Sequence, residues 1–104
     1  MVINQKNWVC YIVECNDKTL YTGITNNVEK RIATHNTGKG SKYVAKRLPC
    51  KLVFVSDYLG NRGHASKMER DVKALTKSNK LKLIESKVNK HVSHQYHDIE
   101  GILQ

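Results

Sequence analysis

The chain has 104 residues, room for one domain and one modest core. Its residues are 39% hydrophobic and 26% charged, with one proline and six glycines, which excludes a disordered tail and collagen-like or low-complexity architecture. Lys and Arg number 18 against 9 Asp and Glu, giving +9, and residues 30–51 carry seven basic side chains and no acidic one.

Residues 8–15 and 19–25 are rich in β-branched and aromatic side chains. Asn16-Asp17-Lys18 separates them, which predicts a hairpin. Period-two alternation puts Tyr11, Val13 and Cys15 on one face and Cys10 and Ile12 on the other, so the first strand is expected to be central and covered on both sides. Asn26, with Glu29 three residues on, has capping-box spacing and predicts a helix buried through Val28, Ile32 and Ala33. That helix should stop near residues 36–38, where Gly38 suits a left-handed cap. Residues 39–49 read as a basic loop or short irregular segment, and residues 51–58 as a third strand.

After a turn at residues 60–63, Ala65, Met68, Val72 and Leu75 fall at i, i+3, i+7 and i+10, the pattern of an amphipathic helix. Thr76 or Ser78 would cap a last helix buried through Leu81, Ile84 and Val88. Periodicity is lost from about residue 89, so the expected organisation is a domain of residues 1–88 and a loosely packed polar tail of residues 89–104. The order β-β-α-β-α-α defines an α+β protein.

A field of one sign attracts polyanions, and nucleic acid is the commonest of these inside a cell. A lysine-rich surface that serves only solubility is the plainer alternative. No basic segment also carries a strong apolar or aromatic face, which argues against an anionic membrane. The longest apolar run, residues 8–13, is too short to span a bilayer. Residues 1–8 lack the apolar core of a secretory signal, so an intracellular protein is expected. Cys10, Cys15 and Cys50 form no CxxC pair and read as reduced thiols. His91, His94 and His97 span too wide an arc on a helix to share one ion easily.

Arg31 and His35 stand at i and i+4, on a face offset from the Val28–Ile32 stripe. A guanidinium can grip a phosphate with two bonds, and an imidazole one turn away can accept or relay a proton. On residues alone, a solvent-facing pair is the simpler reading. Glu69 with Lys73 is an ordinary helix ion pair, or else a carboxylate for Mg²⁺ whose other ligands are waters and phosphate oxygens. Tyr11 and Tyr21 lie on paired strands, where packing is the default role, and Gly23 marks a bulge or a close backbone approach.

Taken in order, Val9-Cys10-Tyr11, Tyr21-Thr22-Gly23, Arg31, His35 and a helix bearing Glu69 resemble the GIY-YIG nuclease domain over about residues 8–84. The segments LYTGITNNVEKRIATHNTGKGSKY and LPCKLVFVSDY are similar to its small stand-alone branch, found in bacteria and some large DNA viruses. The resemblance implies a three-stranded antiparallel sheet flanked by helices, and metal-dependent hydrolysis of DNA phosphodiesters. It places Tyr11 and Tyr21 beside the attacking water, Arg31 on the scissile phosphate and His35 where it assists proton transfer. Glu69 would be the single protein ligand of one Mg²⁺ (or Mn²⁺) ion. Lys73 would contact phosphate, and Lys42 and Tyr43 lie about where some members carry another polar site residue. Lys39, Lys46 and Arg47, from the basic run, complete the expected DNA-binding set. Val9, Cys10 and Thr22 depart from the motif's wording without removing a chemical group.

The working mechanism has Tyr11, or His35 through a relay, take a proton from water, with Arg31 and the ion offsetting charge on the phosphate. One compact domain leaves little surface for choosing a sequence. Action on branched, flapped, nicked or single-stranded DNA, in repair or recombination, is therefore expected. The setting would be a bacterial cytoplasm or nucleoid, or a host nucleus if the protein is viral. The alternative is a non-catalytic nucleic-acid-binding module on the same fold, or a subunit activated by a protein partner.

Overall fold

The hairpin forms as expected, from β1 (Val9–Glu14) and β2 (Leu20–Thr25). Its turn is tied by Asp17, whose Oδ1 accepts from both the backbone N–H and the hydroxyl of Thr19. The computed structural model describes residues 7–90, with side chains through residue 87. His91, His94 and His97, and nearly all of the expected tail, lie outside the described residues.

Five further elements follow: α1 (Val28–Asn36), α2 (Lys42–Ala45), β3 (Lys51–Val55), α3 (Arg62–Lys73) and α4 (Lys77–Lys90). The sheet is antiparallel in the order β2-β1-β3, so β1 is central. Tyr11, Val13 and Cys15 pack into one apolar layer, with Val28 and Ile32 of α1 against it. Cys10 and Ile12 pack into the opposite layer with Phe54, with Met68 and Val72 of α3, and with Leu83 and Ile84 of α4. The two faces read from the alternation are thus both covered.

β3 departs from strict alternation. Ile12 pairs with Phe54 but Val13 with Leu52, which leaves Val53 as an extra residue. This bulge sends Leu52 and Val55 to the Tyr11 layer and Val53 and Phe54 to the other. It also brings Val55 directly opposite Tyr11.

Several local expectations need correction. The cap of α1 is Asn27, not Asn26: Thr25 Oγ1 accepts from the Asn27 N–H and holds the turn, and Asn27 Oδ1 accepts from Lys30 N–H. Ala33, expected in the buried stripe, faces solvent, while Val28 and Ile32 pack on the sheet. The segment after Gly38 is not irregular throughout, because Ser41 Oγ accepts from Tyr43 N–H and starts the short helix α2. β3 ends at Val55, short of residue 58, and α3 begins at Arg62, capped by Asn61. Thr76 rather than Ser78 caps α4, its Oγ1 accepting from Asn79 N–H. Leu75 and Leu81, expected in buried stripes, are 36% and 46% exposed.

Candidate active site

Tyr11 sits at the middle of the central strand, and its ring is 1% exposed. Its side chain lies flat across Gly23, its register partner on β2. A Cβ at Gly23 would fall 2.6 Å from Tyr11 Oη, so the motif glycine is needed for close approach and not for backbone freedom.

His35, in the last turn of α1, is fully buried. The solvent-facing reading of Arg31 and His35 is therefore wrong for His35. Its ring tucks in because α1 lies on the sheet through Val28 and Ile32 and because the chain returns beside it at Gly40. Any side chain on Gly40 would collide with His35 Nδ1. The next residue, Ser41, donates its N–H to Nδ1 over a long 3.4 Å. A ring nitrogen that accepts there leaves the proton on Nε2, which lies 2.8 Å from Tyr11 Oη and donates to it. Arg31 Nε donates to the same oxygen at 3.4 Å.

Two donors thus converge on one phenol. Burial, with help from the Arg31 charge, lowers the His35 pKa to about 4, so the imidazole is neutral near pH 7. Burial pushes the Tyr11 hydroxyl above its ordinary range, and the hydrogen bond and charge of Arg31 offset only part of that. Arg31 alone therefore does not bring this tyrosine to neutrality as a base.

The aromatic cluster continues outward. Tyr21 meets His35 edge-on, with ring centroids 5.6 Å apart, and stacks on Tyr43 of α2 at 6.0 Å. The Arg47 guanidinium covers the Tyr43 ring at 3.8 Å. It is also held by Asp17, at 3.2 Å, and by the Tyr43 carbonyl, at 2.8 Å. Arg47 is thus engaged within the molecule, whereas Lys39, Lys42 and Lys46 are exposed around it.

Glu69 comes from α3. Its carboxylate is 3.3 Å from Lys73 Nζ, an i,i+4 pair, and its charge contributes to raising the pKa of the buried Cys10 thiol to about 11, behind burial. The structure brings Tyr11, Tyr21, Arg31, His35 and Tyr43 into one connected cluster, and it sets Glu69 and Lys73 on α3, which packs against the Cys10 layer. Among the described residues, no three His, Cys, Asp or Glu side chains gather as a metal cage. A lone, partly exposed carboxylate suits a hard ion that keeps water and phosphate oxygens as its other ligands, so the donor chemistry fits Mg²⁺.

The sequence pattern assigns no site role to Gly40 or Ser41, and marks Asp17 only as a turn residue and Asn36 only as a helix end. Asn36 exchanges two hydrogen bonds with the Cys50 backbone, at 2.9 and 3.1 Å, which ties the end of α1 to the start of β3 beside His35. The spacing Gly38–Gly40 was the one available signal for the return beside His35.

The cluster lies on a three-stranded sheet, and the GIY-YIG catalytic domain matches residues 7–82. The chain belongs to the GIY-YIG family, whose domain implies nuclease activity in general. It is similar to small single-domain proteins called UPF0213. One, from Staphylococcus haemolyticus, is 47% identical over 74% of this chain and 93% of that protein. Another, from Clostridium perfringens, is 46% identical over 82% of this chain and 90% of that protein. The solution NMR structure of a UPF0213 protein from Bacillus halodurans matches with a TM-score of 0.50 and 38% identity, covering 77% of this chain and 84% of that one. No described helix is long and apolar enough to cross a membrane.

Proposed function

We propose that the protein is a metal-dependent DNA endonuclease acting in repair or recombination, directed by DNA structure more than by sequence. The observation that carries this reading is the convergence of Arg31 Nε and His35 Nε2 on the Tyr11 hydroxyl. Packing alone requires no such donor pair, whereas a phenolate that takes a proton from water is stabilised by it.

In this reading Tyr11 is the base. His35 is neutral and both its ring nitrogens are engaged, Nε2 with Tyr11 Oη and Nδ1 with the Ser41 N–H, so it acts as a positioning residue. It fixes the phenol and donates to the oxygen as negative charge develops there. Arg31 is half-buried between Tyr11 and the outside, where it can also hold the phosphate. Tyr21 closes the cluster over His35. Glu69 would hold the Mg²⁺ or Mn²⁺ ion, which supplies compensation for charge on the phosphate and leaving oxygen. The exposed Lys39, Lys42 and Lys46 would track the strand backbone.

The test is a panel of labelled duplex, nicked, flapped, four-way and single-stranded DNA, each with Mg²⁺, Mn²⁺ or EDTA, using parent and Glu69→Ala protein. Cleavage that needs the ion and falls ~10²–10³-fold in the variant supports the reading. Salt-sensitive binding without product in any metal would instead identify a non-catalytic or partner-activated module.

A further inference from the structure

We propose that a cavity walled by Val55, the β3 partner of Tyr11, receives one unpaired nucleobase of the strand being cut, and that it favours bases carrying an exocyclic amino group. The proposal rests on the nuclease reading and assigns part of its substrate.

The cavity measures about 540 Å³ and opens between the start of β1, the start of α1 and the end of β3. That is the scale of a site for one small molecule or one nucleotide. Its position relative to the cluster is fixed by the backbone. Val55, in its wall, is the register partner of Tyr11. Asn27, also in its wall, lies one helical turn before Arg31, whose N–H it receives at 3.0 Å. One turn advances ~5.4 Å. A nucleotide whose phosphate is held at Arg31 is therefore within reach of the cavity without any spacer.

The lining matches a base better than a phosphate. Val9, Val28 and Val55 provide an apolar floor, and Asn7, Asn26 and Asn27 bring amide groups that can donate and accept. Tyr58 stands at the wall with 73% of its surface exposed, by far the most exposed large hydrophobic side chain among the described residues. An aromatic ring left open beside a cavity is a stacking platform for a base.

Charge separates the two halves of the nucleotide. The chain carries +9, yet the charged residues lining this cavity are Glu29 and Asp57. Asp57 Oδ1 also accepts from Lys87 Nζ at 2.9 Å. The Glu29 carboxylate repels a phosphate, which is left to Arg31, and can accept a hydrogen bond from the amino group of cytosine, adenine or guanine. Thymine has no such group. A base in a duplex has its Watson–Crick edge paired and both ring faces stacked, so an occupant that enters the cavity and stacks on Tyr58 is single-stranded or turned out of the stack.

Binding can be measured in EDTA, without turnover, by anisotropy of short labelled oligo-dC, oligo-dT and abasic strands. The proteins are the parent, Tyr58→Ala, Tyr58→Phe, Glu29→Gln and Arg31→Ala. Tyr58 and Glu29 are exposed, so these substitutions leave the core intact. The expected result is oligo-dC bound several-fold more tightly than oligo-dT, and oligo-dT more tightly than the abasic strand. Tyr58→Ala should weaken oligo-dC about tenfold, Tyr58→Phe should keep most of the affinity, and Glu29→Gln should narrow the dC–dT gap. Equal binding of all three strands by the parent, or unchanged affinity in Tyr58→Ala while Arg31→Ala binds worse, overturns the base pocket and leaves the nuclease reading standing. No binding of any strand, with no cleavage in the metal panel, overturns both.

Discussion

The two faces of one short sheet are built on different principles. On the Tyr11 face, a phenol, an imidazole and a guanidinium are held by hydrogen bonds, and two glycines are required by the atoms lying against them. On the Cys10 face, Ile12, Phe54 and Val72 are packed by volume, and Thr22 Oγ1 is buried without a hydrogen-bond partner among the described residues. Residues alternating along the same strand therefore serve different ends. One face is specified to the position of single atoms, and the other excludes water and carries α3, from which Glu69 projects.

The largest expected effects would separate the faces. Tyr11→Phe keeps the ring but removes the oxygen on which both donors converge, so cleavage should fall ~10²–10⁴-fold, the range for loss of a positioned general base. Ile12→Ala, one residue away, should cost about 2–5 kcal/mol of stability by emptying a buried site, with the rate per folded molecule little changed. Rate assays at matched folded fractions, with denaturant curves, would check this. A Tyr11→Phe enzyme that cuts at the parental rate would break the division and remove Tyr11 as the base. With the Tyr11 pKa raised, kcat/KM should also keep rising above pH 8 and show no bell near neutrality.

The Tyr11 face should also respond to acid. The His35 pKa is about 4 in the folded protein and near 6.5 in an unfolded chain. Between those values the unfolded state binds the extra proton, so stability rises with pH. The contribution is complete above pH 6.5 and is lost as pH falls towards 4, by up to about 3 kcal/mol. Urea midpoints from pH 4 to 7 would show the slope, and His35→Gln should flatten it. Gly40→Ala tests the same pocket sterically. A Cβ there collides with Nδ1, and about 1–3 kcal/mol should be lost through overpacking.

How legible these features are in the sequence depends on how local their causes are. The two faces of β1 follow from alternation, and the ordered tyrosines, Arg31 and Glu69 carry the family. Burial of His35 does not follow from helix spacing, because the seal comes from Gly40 and Ser41, which return from outside the helix. The bulge at Val53 is set by pairing with β1 and leaves no mark within the run KLVFV. Asn27 replaced Asn26 as the cap because the Thr25 hydroxyl organises the turn, a competition between neighbours that capping spacing does not resolve. Asp17 looked like a turn residue and is one, but it also anchors Arg47 across the molecule.

The smallest expected effect concerns that anchor, and it sharpens the boundary between the cluster and the DNA-facing surface. Arg47 lies within the basic run yet spends its guanidinium on Asp17, the Tyr43 carbonyl and the Tyr43 ring. Exposed ion pairs and cation–π contacts each contribute ~0.5–1 kcal/mol, so Arg47→Ala should cost about 1 kcal/mol and loosen the Tyr43–Tyr21 stack. Its effect on DNA affinity should have no phosphate signature: the slope of log K against log salt stays that of the parent. Lys42→Ala and Lys46→Ala, whose side chains are exposed, should each reduce that slope by about 1. If Arg47→Ala also reduces the slope by about 1, the guanidinium leaves its internal partners for a phosphate on binding, and the Tyr21 stack is rearranged by the substrate.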